Sequence, residues 1–421
     1  MDGSWTRWIG LGGLAVFVGV VYAFSRDRSA IRWRQVLWGL GLQVLIAVLI
    51  LRVGFVRRGF LGFAAAVNWV MKFAYDGAAM LFGSLATGRM PVVAPDGGKL
   101  GVAQVGGVVM LQILPTLIFV SALMSVLYHF RVLQVVVSLM ALAMERTMRV
   151  SGAEALSAAA NVFMGMTEAP LLIRPYLPAM TQSELMAVMV GGFATISGSL
   201  MAVYSLQFQI PFDQMLAASI ISAPAGLYLT KIALPEKETP ATLGRVRADT
   251  ERETVNFIDA AASGATTGLT LALNVGAMLL AFAAGLALID AALGAIGGWL
   301  GADGLSLGKI LGFLFWPVAL LMGVSPREAG AVGQLLGTKI ALNEFFAYQR
   351  LGGMELSARA RSIATFALCG FANFGSIAIQ LGGIGGLVPG RRRDLARLGV
   401  RAMLLGALAS IISATLAGLI G

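Results

Sequence analysis

The chain has 421 residues, of which 58% are hydrophobic and only 12% are charged, about half the charged fraction of a soluble protein. The net charge of +10 does not indicate nucleic-acid binding, because the basic residues lie in short loops beside hydrophobic runs, as in the inner loops of membrane proteins. With one histidine and one cysteine, the chain has little material for a histidine metal site, a catalytic triad or a disulfide.

Hydrophobic runs of roughly 20 residues recur along the whole chain and predict an all-α polytopic membrane protein with about eight transmembrane helices. The predicted spans are 8–24, 36–52, 105–128, 183–206, 213–234, 262–295, 362–388 and 399–420. The first run lacks a small-residue cleavage site and is followed by arginines, so we interpret it as a retained span and not as a signal peptide. Residues 59–87 and 141–157 mix polar and apolar residues, and the first of these stretches predicts an interfacial amphipathic helix.

The distribution of basic residues orients these spans. If the N-terminus is outside, the connections expected inside contain Arg26, Arg28, Arg32, Arg34, Arg146, Arg149, Arg174, Lys237, Arg245, Arg247, Arg252, Arg391, Arg392, Arg393 and Arg397. Arg57, Arg58, Arg350, Arg359 and Arg361 fall on the side expected outside, which weakens this argument without reversing it. The positive-inside rule therefore predicts a protein of the bacterial inner membrane with both termini in the periplasm.

Two further stretches, 153–177 and 313–351, are moderately hydrophobic, contain prolines and acids, and each precede a span. If either stretch crossed the membrane fully, every later loop would change sides, and the basic residues would no longer follow the positive-inside rule. A re-entrant hairpin enters and leaves on one face, so it keeps the later loops on their predicted sides. Such a backbone is tolerated at membrane depth where protein or a water-filled cavity surrounds it.

An internal repeat connects the two hairpins. The segment GFATISGS at 192–199 is similar to GFANFGS at 370–376, and each follows a hairpin that carries a glutamate. Glu168 precedes Thr195 by 27 positions, and Glu344 precedes Asn373 by 29. The orientation places the two hairpins on opposite faces, so the two units are inverted. Inverted repeats with broken helices that meet near mid-membrane are typical of secondary transporters.

The two glutamates need a physical reason at these positions, because a charged carboxylate at the centre of a membrane helix costs at least about 2.5 kcal/mol. One interpretation is a buried ion pair, between Glu168 and Arg174 or between Glu344 and Lys339. We favour a binding role, because both acids lie at predicted hairpin tips beside other polar residues.

Three segments of the sequence resemble motifs of a known family. Asn161–Pro170 (NVFMGMTEAP) and Lys339–Tyr348 (KIALNEFFAY) are similar to the two hairpin motifs of the concentrative nucleoside transporter family, and Ala367–Ile377 (ALCGFANFGSI) is similar to its seventh-span motif. The resemblance runs from about Ile31 to the C-terminus. It implies a homotrimer in membrane lipid, eight core spans, two opposed hairpins and one nucleoside site per subunit, with no cofactor and no nucleic-acid partner.

The resemblance also implies roles for individual residues. Glu344, Asn373 and Ser376 are expected to bind the ribose hydroxyls, and Phe371 and Leu200 to line the pocket. The chemistry agrees, because a carboxylate can accept hydrogen bonds from both hydroxyls of a diol, and charge-assisted bonds are the stronger ones.

The nucleobase is expected to face Thr167 and Glu168, with Met166 beside them at a position where the family usually has Gln. A thioether cannot donate a hydrogen bond and is a weak acceptor, so Met166 either changes the base preference or is ordinary packing. Leu200 is bulkier than the Val often found there and narrows the pocket.

A sodium ion is expected between the first hairpin and the fourth span. Its ligands would be Asn161, the Thr195 hydroxyl, and the backbone carbonyls of Met164 and Ile196, because hard cations take oxygen ligands. Thr195 replaces a common Ser but keeps the hydroxyl.

These observations predict a sodium–nucleoside symporter, with a proton carried by Glu168 or Glu344 as the alternative coupling ion and a related nucleobase or nucleoside analogue as the alternative substrate. An intramembrane enzyme is disfavoured because the chain has no HExxH, GxSxG, Walker A or CxxC motif. A channel is disfavoured because a pore needs no pair of inverted hairpins. The predicted units are 1–100, 101–152, 153–235, 236–306 and 307–421, with the transport repeats in the third and fifth.

Overall fold

The structure is a computed structural model that describes residues 4–87, 89–93, 99–104, 109–243, 254–299, 301 and 304–421. Within these ranges the chain is almost entirely helical, as the composition predicts. The helices before the first hairpin are α1 Ser4–Ala23, α2 Trp33–Arg52, α3 Gly54–Phe82, α4 Ser84–Thr87, α5 Val109–His129 and α6 Val132–Met148. The helices from the first hairpin onward are α7 Gly152–Ala160, α8 Gln182–Ala194, α9 Gly198–Phe208, α10 Phe212–Ala233, α11 Phe257–Trp299, α12 Leu307–Leu321, α13 Pro326–Ala341, α14 Glu344–Gly353, α15 Ala358–Leu368, α16 Phe374–Leu387 and α17 Arg392–Ile420.

The described residues depart from an all-α fold at one place, a two-stranded antiparallel sheet of β1 Arg89–Val93 and β2 Lys99–Gln104. The sequence between the strands, PDGG at 95–98, is a typical turn signal from which this hairpin could have been predicted. The predicted interfacial helix at 59–87 is confirmed as helical, since α3 covers most of that stretch.

Six helical segments in the described ranges are long and apolar enough to cross a membrane, namely α1, α2, the α8–α9 pair, α10, α11 and α17. Two of the predicted spans have a less regular form. Helix α5 is followed by α6 at a bend of 74°, and its predicted first residues, 105–108, lie outside the described residues. The predicted seventh span is divided into α15 and α16.

The connection between α1 and α2 is tied to the segment after α10. Asp27 caps a 3₁₀ turn at Arg28–Ala30, and its carboxylate lies 2.5 Å from the Lys237 ammonium. The hydrogen bond from Lys237, with that from the Ser29 hydroxyl, holds the pKa of the Asp27 carboxyl below its usual range. Both connections belong to the set that the sequence places on the inner face, so this ion pair joins two loops of one side.

Hairpin 1 (Gly152–Ala179) has two unlike limbs. The descending limb is α7, which begins at a capping box made by Ser151 and Glu154. The returning limb consists of two 3₁₀ helices, Ala169–Ile173 and Leu177–Ala179, each with a proline near its start. Proline lacks the N–H that would continue an α-helical ladder, which explains why the second limb is made of short turns.

Hairpin 2 (α13 and α14, Pro326–Gly353) is shorter than predicted. The first part of the predicted stretch 313–351 belongs to α12, which is bent by 117° from α13. A glycine with positive φ, Gly323, lies at this bend. The prediction placed the start of the hairpin too early, although Ser325 and Pro326, a typical helix-start pair, mark the beginning of α13.

Both predicted broken spans are broken. The first break (Thr195–Ser197) separates α8 from α9, and the second break (Cys369–Asn373) separates α15 from α16. Each break ends at a polar residue that begins the next half-helix: Ser197 precedes α9, and the Asn373 side chain accepts a hydrogen bond from the Ser376 N–H at 2.8 Å. The Asn373 side chain thereby satisfies a backbone donor that the second break exposes, whereas the Ser197 side chain makes no such cap and its hydroxyl lies 3.2 Å from the Ser199 hydroxyl.

The two units, each a hairpin, a broken span and a closing span, are inverted and interleaved. The chain makes two full crossings, α10 and α11, between the first broken span and hairpin 2. The second broken span therefore runs in the opposite direction to the first, and the hairpins enter from opposite faces. Helix α8 packs against α17 of the other unit, and α15 packs against α10, so the two units form one buried core.

A buried ionic cluster fastens the base of hairpin 1 to the end of α10. The Lys231 ammonium forms a hydrogen-bonded ion pair with Glu154 of α7, and it lies 3.7 Å from a carboxylate oxygen of Glu236. It also donates to the Ser183 hydroxyl of α8 at 3.0 Å. Because the charges are buried and multiply hydrogen-bonded, the cluster specifies one arrangement of α7, α8 and α10.

Candidate substrate and cation site

The second break contacts the end of α8, just before the first break, in the core. Gly370 has φ +152°, and a Cβ atom at this position would lie 2.6 Å from the Phe193 carbonyl oxygen and 3.2 Å from the Ala194 carbonyl carbon. Only glycine allows so close a backbone approach at a positive φ. The polar backbone of both broken spans is thereby brought to one place.

Hairpin 2 places a carboxylate beside the second break. Glu344 is the first residue of α14, and the Asn343 side chain caps this helix by accepting from the Phe346 N–H at 3.2 Å. One oxygen of the Glu344 carboxylate accepts from the Tyr204 hydroxyl at 2.9 Å, and the other accepts from Asn373 Nδ2 at 3.1 Å. The predicted partners Glu344 and Asn373 are therefore in contact, and Asn373 in turn holds the start of α16 where Ser376 lies.

Hairpin 1 contacts the other end of the same helix, α16. The Cγ2 atom of Thr167 would lie 2.7 Å from a Cβ atom on Gly383. Met166, which is 7% exposed, packs over Gly192 of α8, where an added Cβ atom would lie 2.7 Å from Met166 Cβ. The Glu168 carboxylate turns back on its own hairpin and accepts from the Gly165 N–H at 3.2 Å.

A cavity of about 320 Å³ lies beside hairpin 1. One wall is formed by Phe163, Met164 and Glu168 of the hairpin and by Ser199 of α9. The opposite wall is formed by hydroxyl-bearing and small residues of α5 and α11, namely Ser121, Ser125, Ser263, Gly264 and Thr267. The predicted pocket residues Leu200 and Phe371 are buried and do not line this cavity.

Two of the predicted cation ligands, Asn161 and Thr195, both lie beside Gly191 of α8. Asn161 caps α7, and its Nδ2 donates to the Ser157 carbonyl at 2.9 Å, whereas its buried Oδ1 has no hydrogen-bond partner among the described residues. A Cβ atom on Gly191 would lie 3.3 Å from Asn161 Nδ2, and the Thr195 hydroxyl donates to the Gly191 carbonyl at 3.0 Å. Within the described chain, no hydrogen bond is directed to the backbone carbonyls of Met164 and Ile196.

Each of these groups has an oxygen atom that can accept a further partner. A hydroxyl that donates its proton to a carbonyl keeps its lone pairs for another partner. An amide oxygen, a hydroxyl oxygen and two carbonyl oxygens are the donor types that a hard cation requires. The residues present therefore fit a sodium ion.

The ion-pair interpretation of the two hairpin acids finds no support in the described residues. The salt bridges there are formed by other residues, and neither Glu168 nor Glu344 takes part in one. Lys339 is buried and donates to the Ala367 carbonyl at 2.8 Å and to the Ser410 hydroxyl at 2.9 Å. It therefore binds the end of α15 and helix α17 and does not neutralise Glu344 by direct contact.

Comparison with known proteins identifies the family. The family model of the Na+ dependent nucleoside transporter C-terminus matches residues 214–418, and the model of its N-terminus matches residues 12–85. A third model, described as nucleoside recognition, matches residues 110–210. The chain is a member of the concentrative nucleoside transporter family.

Relatives agree over nearly the whole length. The chain is 43% identical to an uncharacterized transporter of Haemophilus influenzae, over 97% of this chain and 96% of that protein. It is 41% identical to the nucleoside permease NupC of Helicobacter pylori, over 97% of this chain and 96% of the permease. A solved structure of CNTnw in an inward-facing substrate-bound state is similar at a TM-score of 0.89, with 40% identity, 99% of this chain and 98% of that chain covered. This concentrative nucleoside transporter is thus a membrane transporter and not an enzyme.

Two residues that contact predicted site residues were missed by sequence reasoning. Tyr204 is fully buried and binds the Glu344 carboxylate, and Gln380 is fully buried beside Met166. A tyrosine or a glutamine inside a predicted apolar span is a signal that could have found both, because a polar group in a membrane span usually has a functional or structural partner.

Proposed function

We propose that the protein imports nucleosides by symport with sodium, using one site between the two hairpins that alternates between the faces of the membrane. The observation that carries this proposal is the pairing of Glu344 with Asn373 at the second break. The family to which the chain belongs transports nucleosides, and the matching family models are described as Na+ dependent.

The ribose is recognised at hairpin 2 in this proposal. Each Glu344 oxygen accepts one hydrogen bond from the protein, and a carboxylate has about four acceptor positions. Two positions therefore remain for the two hydroxyls of a ribose. Ser376, in the first turn of α16, adds a hydroxyl that can donate or accept.

The nucleobase is recognised near hairpin 1 in this proposal. Thr167 contacts α16, and Glu168 borders the cavity that opens toward α5 and α11. Phe371 and Leu200 are nearly buried apolar side chains next to the breaks, and they would cover the faces of the base. Met166 contributes an apolar surface and no hydrogen-bond donor.

The coupling ion is the sodium that Asn161, Thr195 and the carbonyls of Met164 and Ile196 would hold. The buried Asn161 oxygen, for which the described residues provide no donor, supports this assignment. One cation that moves inward gains about 2.3 kcal/mol per 100 mV of membrane potential. At about 1.4 kcal/mol per tenfold, that is enough for roughly forty-fold accumulation of a neutral nucleoside.

The scaffold against which the transport repeats move would be built from the units 101–152 and 236–306. Helices α5 and α11 of these units pack closely on each other and form the far wall of the cavity. Helix α11 exposes Leu273, Leu280 and Leu288, which suits contact with lipid or with other subunits of a homotrimer. The charge distribution supports an inner-membrane location with both termini outside.

The test is uptake of labelled uridine and adenosine into proteoliposomes that contain the purified protein. Saturable accumulation that requires an inward sodium gradient is expected, and Asn161→Leu should abolish the sodium dependence. A matched control is Asn68→Leu, because the Asn68 side chain contacts Ser205 on the α3 side of α9, away from the proposed ion. Uptake that ignores sodium in the wild type would rule out sodium coupling.

Proton coupling is the second candidate for the ion. It is favoured by one observation: within the described residues, neither Glu168 nor Glu344 is paired with a basic side chain. An unpaired carboxylate in a membrane protein can carry a proton. Uptake that is driven by a pH gradient without sodium, and that is lost in Glu168→Gln or Glu344→Gln even at saturating nucleoside, would support this candidate.

A further inference from the structure

A buried glutamine beside the proposed base region has one unused hydrogen-bonding atom. Gln380 is 0% exposed, and its Nε2 donates to the Met189 carbonyl of α8 at 3.0 Å. Its Oε1 has no hydrogen-bond partner among the described residues. If the Gln380 amide were flipped, its oxygen would face the Met189 carbonyl oxygen. The hydrogen bond to Met189 therefore fixes which amide atom is the nitrogen and which is the oxygen.

An amide oxygen buried without a donor is costly, and such groups in native proteins are usually completed by a water or a ligand. Gln380 Oε1 is therefore an acceptor for which the described protein atoms supply no donor. It offers an interaction to a molecule that comes from outside.

The position of Gln380 points to the substrate. It follows Ser376 by four residues, which places both side chains on the same face of α16. A Cβ atom on Gly192 would lie 2.7 Å from Gln380 Nε2 and 2.7 Å from Met166 Cβ. The amide and Met166 therefore share the space over Gly192. Further along α16 toward its C-terminus, Gly383 contacts Thr167 of hairpin 1.

Met166 itself cannot provide a directional contact to a polar base edge, because a thioether has no donor and is a weak acceptor. We propose that Gln380 reads the nucleobase: its Oε1 accepts a hydrogen bond from an N–H group on the base edge, while Met166 packs against the base. This inference rests on the proposed nucleoside transport and assigns its base selectivity. The ligands selected are nucleosides whose base carries an amino or ring N–H group directed at α16.

The test compares pairs of nucleosides that differ by one N–H group. The pairs are adenosine with purine riboside, cytidine with its analogue lacking the 4-amino group, and uridine with 3-deazauridine. Dissociation constants are measured by calorimetry on the purified protein in detergent with saturating sodium. In at least one pair, the wild type should bind the N–H-bearing member roughly tenfold or more tightly, because the analogue leaves Oε1 unpaired.

The variant Gln380→Leu should reduce the ratio of the two dissociation constants in such a pair to within about twofold, since no acceptor remains to be satisfied. Gln380→Met serves the same purpose with an unbranched side chain if the leucine variant does not fold. The double variant Met166→Gln with Gln380→Leu returns an amide to the same space from the hairpin, and it should restore discrimination. A ratio that persists in Gln380→Leu, or a wild type that discriminates in none of the three pairs, overturns the inference.

The matched control is Gln43→Leu. Gln43 is also a fully buried glutamine within a span, and both ends of its amide are bonded, to the Ser413 hydroxyl at 3.1 Å and from the Tyr228 hydroxyl at 2.9 Å. Its loss should lower the melting temperature and leave the ratio unchanged. If the wild type binds no nucleoside, the proposed function fails. If it binds both members of every pair equally, only the role of Gln380 fails.

Discussion

Replacement of Glu344 by Gln tests the ribose site most directly. The variant is nearly isosteric, so the fold of hairpin 2 should persist. The new amide oxygen can accept from Asn373 Nδ2, which only donates, and the new NH₂ group then faces the Tyr204 hydroxyl, which can rotate to accept. The hydrogen bonds now seen at 3.1 and 2.9 Å can therefore be kept in altered form.

The substrate cannot be accommodated so easily. The ribose hydroxyls lose the negative charge and one of the two acceptor oxygens. A hydrogen bond to a charged group contributes about 1.5–3 kcal/mol, which corresponds to a dissociation constant roughly ten- to 150-fold weaker. The same loss should reduce the preference for uridine over its 2′-deoxy and 3′-deoxy analogues.

Calorimetry with saturating sodium measures both quantities, and Glu184→Gln is the matched control. Glu184 is also a buried carboxylate, but it accepts from the Thr181 N–H at 2.8 Å in a capping box, a role that Gln can perform. The control should bind uridine within about twofold of the wild type. A folded Glu344→Gln variant with wild-type affinity and wild-type preference for ribose would refute the placement of the diol at this carboxylate.

Further predictions concern the core. Gly370→Ala should destabilise the protein by about 1–3 kcal/mol, because an added Cβ atom would lie 2.6 Å from a carbonyl oxygen at φ +152°. Thermal unfolding in detergent measures this, and Gly41→Ala, which has no atom within 4 Å of its Cβ position, should be neutral or slightly stabilising. Lys231→Met should cost about 3–5 kcal/mol by leaving the Glu154 charge buried and unpaired, and adding Glu154→Leu should recover part of that loss. Lys237→Met, whose side chain is 61% exposed, should change the melting temperature only slightly; an equal effect of both lysine variants would contradict the assigned burial.

The break regions illustrate how much of the fold local sequence patterns can predict. Clusters of Gly, Thr, Asn and Ser inside hydrophobic runs predicted both breaks, since such residues weaken a helix and supply alternative hydrogen bonds. The inversion of the two units followed from counting crossings against the charge distribution. The limits of hairpin 2 did not follow, because the predicted stretch included the apolar residues 313–321 of α12, which a 117° bend separates from α13.

The residues of the proposed binding site also differ in whether the sequence could predict them. Glu344 and Asn373 could be nominated from their spacing and from family resemblance, but the contact with Tyr204 joins residues that are 140 positions apart. The same holds for Gln380, whose partner Met189 is 191 positions away. No local pattern along the chain encodes such contacts.

The sequence by itself determined that this chain is a membrane protein, where its spans and breaks lie, and which acids are carried into the bilayer. These properties depend on local hydrophobicity, charge and backbone propensity, all of which are written along the chain. Only the tertiary structure decided that the second break meets the end of α8 at Gly370, that Tyr204 and Asn373 share one carboxylate, and that the Gln380 oxygen has no donor among the residues that the structure describes. These properties depend on which residues, far apart in the sequence, become hydrogen-bond partners in a core from which water and lipid are excluded.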